Sequence, residues 1–144
     1  MKIERTTQIA APPERVYEVV MDPRRLEDWV TIHHSLIEAP VGELKEGSEL
    51  TQCLKLAGQR LSVRWRVVED DCPRRVVWEG EGPVRSHARV VYELERNGEG
   101  TRFSYTNEYD LPGGAFGRFA GRAVSRVTTR EVEGTLQRLK ELLE

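Results

Sequence analysis

The sequence predicts an α+β fold: a curved antiparallel sheet of about seven strands wrapped around one long C-terminal helix, with two short helices after the first strand. Three observations predict it. From about residue 35 onward, six apolar/polar alternations follow one another, separated by turn-forming residues. Connections this short join antiparallel neighbours, because a parallel crossover needs about a dozen residues or more. The alternations leave one face apolar and one polar, as in a sheet covered on a single side. The only stretch long enough to cover that apolar face runs from about Phe116 to Leu143.

Residues 3 to 9 mix β-branched and polar residues in rough alternation and form the first strand. Ala11-Pro12-Pro13 ends it, since proline donates nothing to a ladder, and Pro13 is a favourable first helical residue. Val16, Tyr17, Val20 and Met21 then fall at helical spacing, and Asp22-Pro23 stops that helix and opens a second short one through Leu26, with Trp29 just beyond. The strand boundaries lie at Gly42 to Gly47, Ala57-Gly58-Gln59, Asp70 to Pro73, Gly80 to Pro83 and Asn97 to Gly100. Between them, Leu61, Val63, Trp65 and Val67 share one face and Ser62, Arg64 and Arg66 the other. In the last strand Phe103, Tyr105, Asn107 and Tyr109 oppose Arg102, Ser104, Thr106 and Glu108 in the same way.

A helix from Phe116 to Leu143 would be roughly 40 Å long, enough to cross the sheet. Its apolar stripe is not straight. Phe116, Ala120, Ala123 and Val127 lie roughly 160° from Val132, Leu136, Leu139 and Leu143 when each residue advances by about 100°. The helix either bends or faces the core through Val124, Thr128, Val132 and Thr135.

The 144 residues carry 22 Lys+Arg against 24 Asp+Glu, a formal net charge of −2. No global field selects nucleic acid or an anionic membrane, so neither is an expected partner. Two cysteines, Cys53 and Cys72, are too few for a disulfide framework and are expected to be reduced. Met1-Lys2-Ile3-Glu4-Arg5 runs straight into a strand pattern rather than a secretory leader, and a cytoplasmic protein is the expectation. No repeat or linker interrupts the chain, so residues 1–144 are expected to form a single domain.

The strand, the Ala11-Pro12-Pro13-Glu14-Arg15-Val16-Tyr17 helix entry, Asp22-Pro23, Trp29, the six-strand meander and the Leu136 to Leu143 helix together resemble the START-like, or SRPBCC, superfamily with its helix-grip fold. Within it they resemble the polyketide cyclase/dehydrase and lipid-transport group. The resemblance implies a cavity between sheet and helix, but the superfamily includes carriers, cyclases, hydroxylase subunits and regulatory modules, so it leaves the activity open.

An interior with this many polar aromatic tips points the same way, because an unpaired buried phenol or amide costs about 1 to 3 kcal/mol. Either each tip finds a protein partner or the space receives a guest. The expected lining is Trp65, Trp78, Tyr92, Phe103, Tyr105 and Tyr109 as wall, Trp29 near the entrance, Asn107 and Thr128 orienting a polar group, and Val124 on the helix. The first expectation is binding of a small hydrophobic, lipid- or polyketide-like molecule. The second is a cyclase or dehydratase in which a tyrosine, His33, His34 or Glu131 moves protons; such chemistry needs positioned acid-base groups more than a covalent nucleophile. The third, implied by the resemblance, is a recruitment or assembly module like the SRPBCC-type relatives that accompany carbon monoxide dehydrogenase.

No catalytic residue is assigned. Adjacent histidines on an extended segment point to opposite sides and make a poor metal site, and no His-x-x-Glu-His, Cys-x-x-Cys or glycine-rich phosphate loop is present, so neither metal nor cofactor is expected. Arg118, Arg122, Arg126 and Arg130 form a ridge along the helix. With Phe116 and Phe119 in an entrance rich in glycine, the ridge is a candidate for membrane contact, but polybasic docking usually needs a denser cluster and a solvated face is the plainer reading. Phe119 and Ala123 could equally face a second copy, leaving monomer and homodimer both open.

Overall fold

A computed structural model of the chain describes residues 1–56, 58–110 and 117–144, the side chains of 117–125 excepted. The elements are β1 (Lys2–Ile9), α1 (Pro13–Val20), a 3-10 turn at Pro23–Arg25, α2 (Leu26–Trp29), β2 (His33–Glu38), β3 (Glu49–Leu56), β4 (Gln59–Asp71), β5 (Arg75–Glu81), a 3-10 turn at Pro83–Arg85, β6 (His87–Asn97), β7 (Gly100–Asp110) and α3 (Gly117–Leu143). They form one seven-stranded sheet in the order β1-β7-β6-β5-β4-β3-β2, antiparallel throughout. The expected curved sheet, long C-terminal helix and short helices after the first strand are present.

The short helices follow their local signals. Pro13 opens α1, whose buried side is Pro13, Val16, Val19 and Val20. Asp22 then accepts a hydrogen bond from the backbone N–H of Arg24 at 3.0 Å, tying down the turn that leads into α2. Trp29, expected just beyond this helix, is its last residue.

α3 packs on β1 and α2. Its inward side is Thr128, Val132, Thr135, Leu136, Leu139 and Leu143, all buried, while Arg126 and Arg130 are exposed. Of the two ways to reconcile its stripe, this is the one through Thr128, Val132 and Thr135. Phe116, Phe119, Ala120, Ala123, Arg118, Arg122 and Val124 lie outside the described side chains.

Alternation holds in β4 as far as Val67, where a bulge against β5 shifts the phase so that Glu69 pairs with Val77. Asp70 therefore turns toward α1, and its carboxylate accepts a hydrogen bond from the Tyr17 hydroxyl at 2.7 Å. Gly80, expected in a turn, lies instead within β5, opposite Trp65, where the ring occupies the space a side chain would need.

The outer face is not uniformly wet. Val77 and Val91 are buried there at 1% and 8% exposure, outside the main core cluster, between the Arg75/Glu93 pair and the Glu79/Arg89 pair. Long charged side chains can cover such spots with their aliphatic stems. One register row of this face reads Glu49, Arg66, Glu79, Arg89, Glu108, Lys2 from β3 to β1, with charge sign alternating at every strand. Opposite charges placed directly across strands are worth about 0.2–1 kcal/mol per pair.

Candidate functional site

The inner face of the sheet carries the expected aromatic residues, and strand register brings them together. Tyr92 sits at the centre: its ring centroid is 5.9 Å from Trp29, 5.9 Å from Trp78, 5.7 Å from Phe103 and 5.5 Å from Tyr105, and Trp78 lies 6.1 Å from Trp65. The Tyr92–Phe103 pair is stacked and the others are tilted or edge-on, arrangements that suit aromatic quadrupoles at these distances. These rings are buried and belong to the continuous core. Trp29, expected near the entrance, is instead fully buried. α2 presents it at a tilt to Tyr92, so it closes the base of the cluster.

Beyond Tyr105 along β7 the character changes. Asn107 and Tyr109 are half-buried, and the Tyr109 hydroxyl is hydrogen-bonded to the Thr128 hydroxyl at 3.2 Å across the gap to α3. The expected wall thus has a fully buried part, from Trp65 to Tyr105, and a half-buried part, Asn107 and Tyr109, linked to α3 through Thr128. Val124 belongs to the N-terminal half of α3 and lies outside the described side chains.

The phenols of this face are uncharged. Burial pushes the phenols of Tyr92 and Tyr105 up from their ordinary values, and the neighbouring Tyr105 raises Tyr92 further. Burial also raises Tyr109, against the bond to Thr128, which lowers it. All three stay neutral hydrogen-bonding groups at physiological pH. The indole N–H groups of Trp29 and Trp78 are buried without an acceptor among the described residues.

Periodicity did not single out one polar residue of this face. Gln52, 3% exposed, follows Leu50 and precedes Leu54 on the buried side of β3. Its Oε1 accepts from the Trp65 indole N–H at 3.0 Å, and its Nε2 lies 2.8 Å from His33 Nδ1. An amide at an apolar phase of a strand is the signal that could have found it. Of the two adjacent histidines, His33 turns inward to Gln52, whereas His34 is exposed. Burial lowers the pKa of His33, an effect opposed by Glu27 and reinforced by His34.

Glu131 is partly buried, and its main-chain carbonyl accepts from the Thr31 hydroxyl at 3.2 Å while Thr128, Val132 and Thr135 take the inward positions. Cys53 and Cys72 are free thiols, and no cluster of three or more His, Cys, Asp or Glu with metal-binding proximity occurs among the described residues. A wide recess of about 1130 Å³ is lined largely by charged residues of the outer face such as Arg64, Arg66, Glu79, Glu81, Arg89 and Glu108, with Trp65 and Tyr109 also at its border. Its lining lacks the convergent apolar surface that holds small organic molecules, so the inner face is the stronger candidate.

Comparison with known proteins bears on the family and the fold. A family profile described as polyketide cyclase / dehydrase and lipid transport matches residues 1–144. Uncharacterized proteins from two Mycobacterium tuberculosis strains are each 25% identical over 140 residues, covering 97% of this chain and 96% of theirs. Among solved structures, a Thermus thermophilus protein superposes with a TM-score of 0.79 at 24% identity, covering 98% of this chain and 95% of its own. The Zhui aromatase/cyclase from a Streptomyces species also gives 0.79, at 18% identity, covering 99% and 93%. These structural likenesses establish the shared helix-grip fold.

Proposed function

Because this chain belongs to the polyketide cyclase/dehydrase and lipid transport family, we propose that it binds a small, electrically neutral, largely apolar molecule between the outer part of β7 and α3. The observation that carries this reading is the set of uncharged polar groups among the described residues: Asn107, Tyr109, Thr128 and the raised phenol of Tyr105 offer hydrogen bonds beside aromatic surface. A ligand with carbonyl or hydroxyl oxygens on a ring framework suits such a surface, since apolar area supplies affinity and a few polar groups fix orientation. Trp65, Trp78, Tyr92, Phe103 and Trp29 form the rigid wall behind it.

Native mass spectrometry of the purified chain, followed by tryptophan-fluorescence titration with a neutral aromatic polyketone and with a long-chain fatty acid, tests the proposal. The polyketone is expected to bind, and Asn107→Leu to weaken it about tenfold, the equivalent of about 1.4 kcal/mol. Binding of the fatty acid alone, or affinity unmoved by Asn107→Leu, overturns it.

Catalysis is the second reading, favoured by one observation: His33, whose imidazole burial holds below its ordinary value, is turned inward beside Gln52. Incubation of a linear polyketone with the protein, with product analysis and His33→Phe as control, separates an enzyme from a carrier.

A further inference from the structure

The bond from Trp65 to Gln52 has a direction that cannot be reversed. An indole N–H only donates, so Gln52 must turn its carbonyl oxygen to Trp65 and its amide NH₂ to His33. His33 Nδ1, 2.8 Å away, must then accept, which requires an imidazole that is unprotonated at Nδ1 and carries its single proton on Nε2. A proton added at Nδ1 would place two donors face to face. Gln52 could relieve that only by flipping its amide, which would confront the Trp65 N–H with another donor inside the core.

His33 begins β2, the edge strand, which pairs with β3 alone and through two register irregularities. Its backbone N–H bonds the Val30 carbonyl at 3.1 Å, and Thr31, two residues earlier, anchors this connection to α3 by donating its N–H to Thr135 Oγ1 at 3.1 Å and its hydroxyl to the Glu131 carbonyl. The side-chain link from His33 to Gln52 therefore sits where an edge strand of irregular register joins the sheet. We propose that the Trp65–Gln52–His33 chain is a proton-sensitive latch that holds β2 to the sheet while His33 is neutral and releases it when His33 is protonated. The surrounding groups set its poise. Glu27 on α2 favours the cation and His34 on β2 opposes it; β3 contributes the neutral Gln52 and Leu54. On α3, Glu131 has its main-chain carbonyl engaged by Thr31 and is not among the charges acting on His33. Burial favours the neutral, latched form.

Imidazole ¹⁵N NMR of the full chain, which has three histidines, reads the latch directly. His33 is expected as the Nε2–H tautomer at neutral pH, with hydrogen exchange of the β2 amides relative to their intrinsic rates rising as His33 titrates. His33→Phe is expected to abolish that pH dependence. In Gln52→Glu a carboxylate accepts from both neighbours, so the His33 proton affinity is expected to rise about tenfold or more, one pKa unit. An Nδ1–H tautomer in the unmodified protein, β2 exchange indifferent to His33 protonation, or a Gln52→Glu variant that titrates no higher overturns the proposal. The first two readings do not depend on whether that variant folds.

Discussion

Trp65 lies across the backbone of Gly80: the two residues are directly opposed in β4 and β5, and a β-carbon built on Gly80 would stand 2.7 Å from the ring's Cε3 and 2.8 Å from Val63 Cγ1. Neither neighbour can move away cheaply, because the Trp65 indole is held by Gln52 and packed edge-on against Trp78. Gly80→Ala is therefore expected to destabilise the fold by about 1–3 kcal/mol, the usual cost of overpacking. Urea unfolding followed by tryptophan fluorescence measures it. An unchanged midpoint would show that the ring has room to yield.

Phe103 is fully buried and in ring contact with Tyr92. Phe103→Ala leaves a cavity in the centre of the aromatic cluster and is expected to cost about 3–5 kcal/mol. The same unfolding experiment checks it, with a cost below about 1 kcal/mol contradicting close packing at this point.

Tyr109→Phe removes a half-buried hydroxyl whose partner on α3 is Thr128. The expected loss is about 0.5–1.5 kcal/mol, the net value of one hydrogen bond. In a double-mutant cycle with Thr128→Val, the double variant should lose less than the sum of the two single losses, because both delete the same contact. Full additivity would mean that the two hydroxyls are energetically independent.

Alkaline titration has a definite sign. Tyr92 and Tyr105 are raised by burial in the folded protein, so the unfolded chain releases these protons first. Their contribution to stability is fully present below the unfolded phenol value of about 10 and is lost as pH climbs beyond it. Phenolate absorbance and stability recorded together should show ionisation of these two rings coinciding with unfolding; ionisation of both within a folded protein would refute their burial.

Acid acts through His33 with the opposite slope. Its folded pKa is lowered, so its share of stability is present above the unfolded value of about 6.5 and is lost as pH falls through the lower folded value. Stability is expected to decline over that window in the unmodified chain and less steeply in His33→Phe. Identical slopes would remove His33 as the cause.

Periodicity made the strands, the face each residue takes and the covering helix readable from letters alone, because alternation every two residues and the punctuation by proline and glycine are local properties. It put Phe103, Tyr105, Asn107 and Tyr109 on one side of β7 and His33 and His34 on opposite sides of β2. It also left the stripe of α3 with two solutions. Spacing could not choose between them, since the rotation of a helix against a sheet depends on what the sheet presents to it.

Register and phase belong to the folded chain. The bulge after Val67 turns Asp70 to Tyr17, the pairing of β4 with β5 sets Trp65 over Gly80, and the alignment of six strands makes a row of alternating charge from Glu49 to Lys2. Trp65, Gln52 and His33 stand on three strands and have no relation in the linear order. Their chain of hydrogen bonds exists because a buried indole N–H needs an acceptor and the only direction left to the amide is toward the imidazole, a requirement that distant residues meet only once the sheet has brought them together.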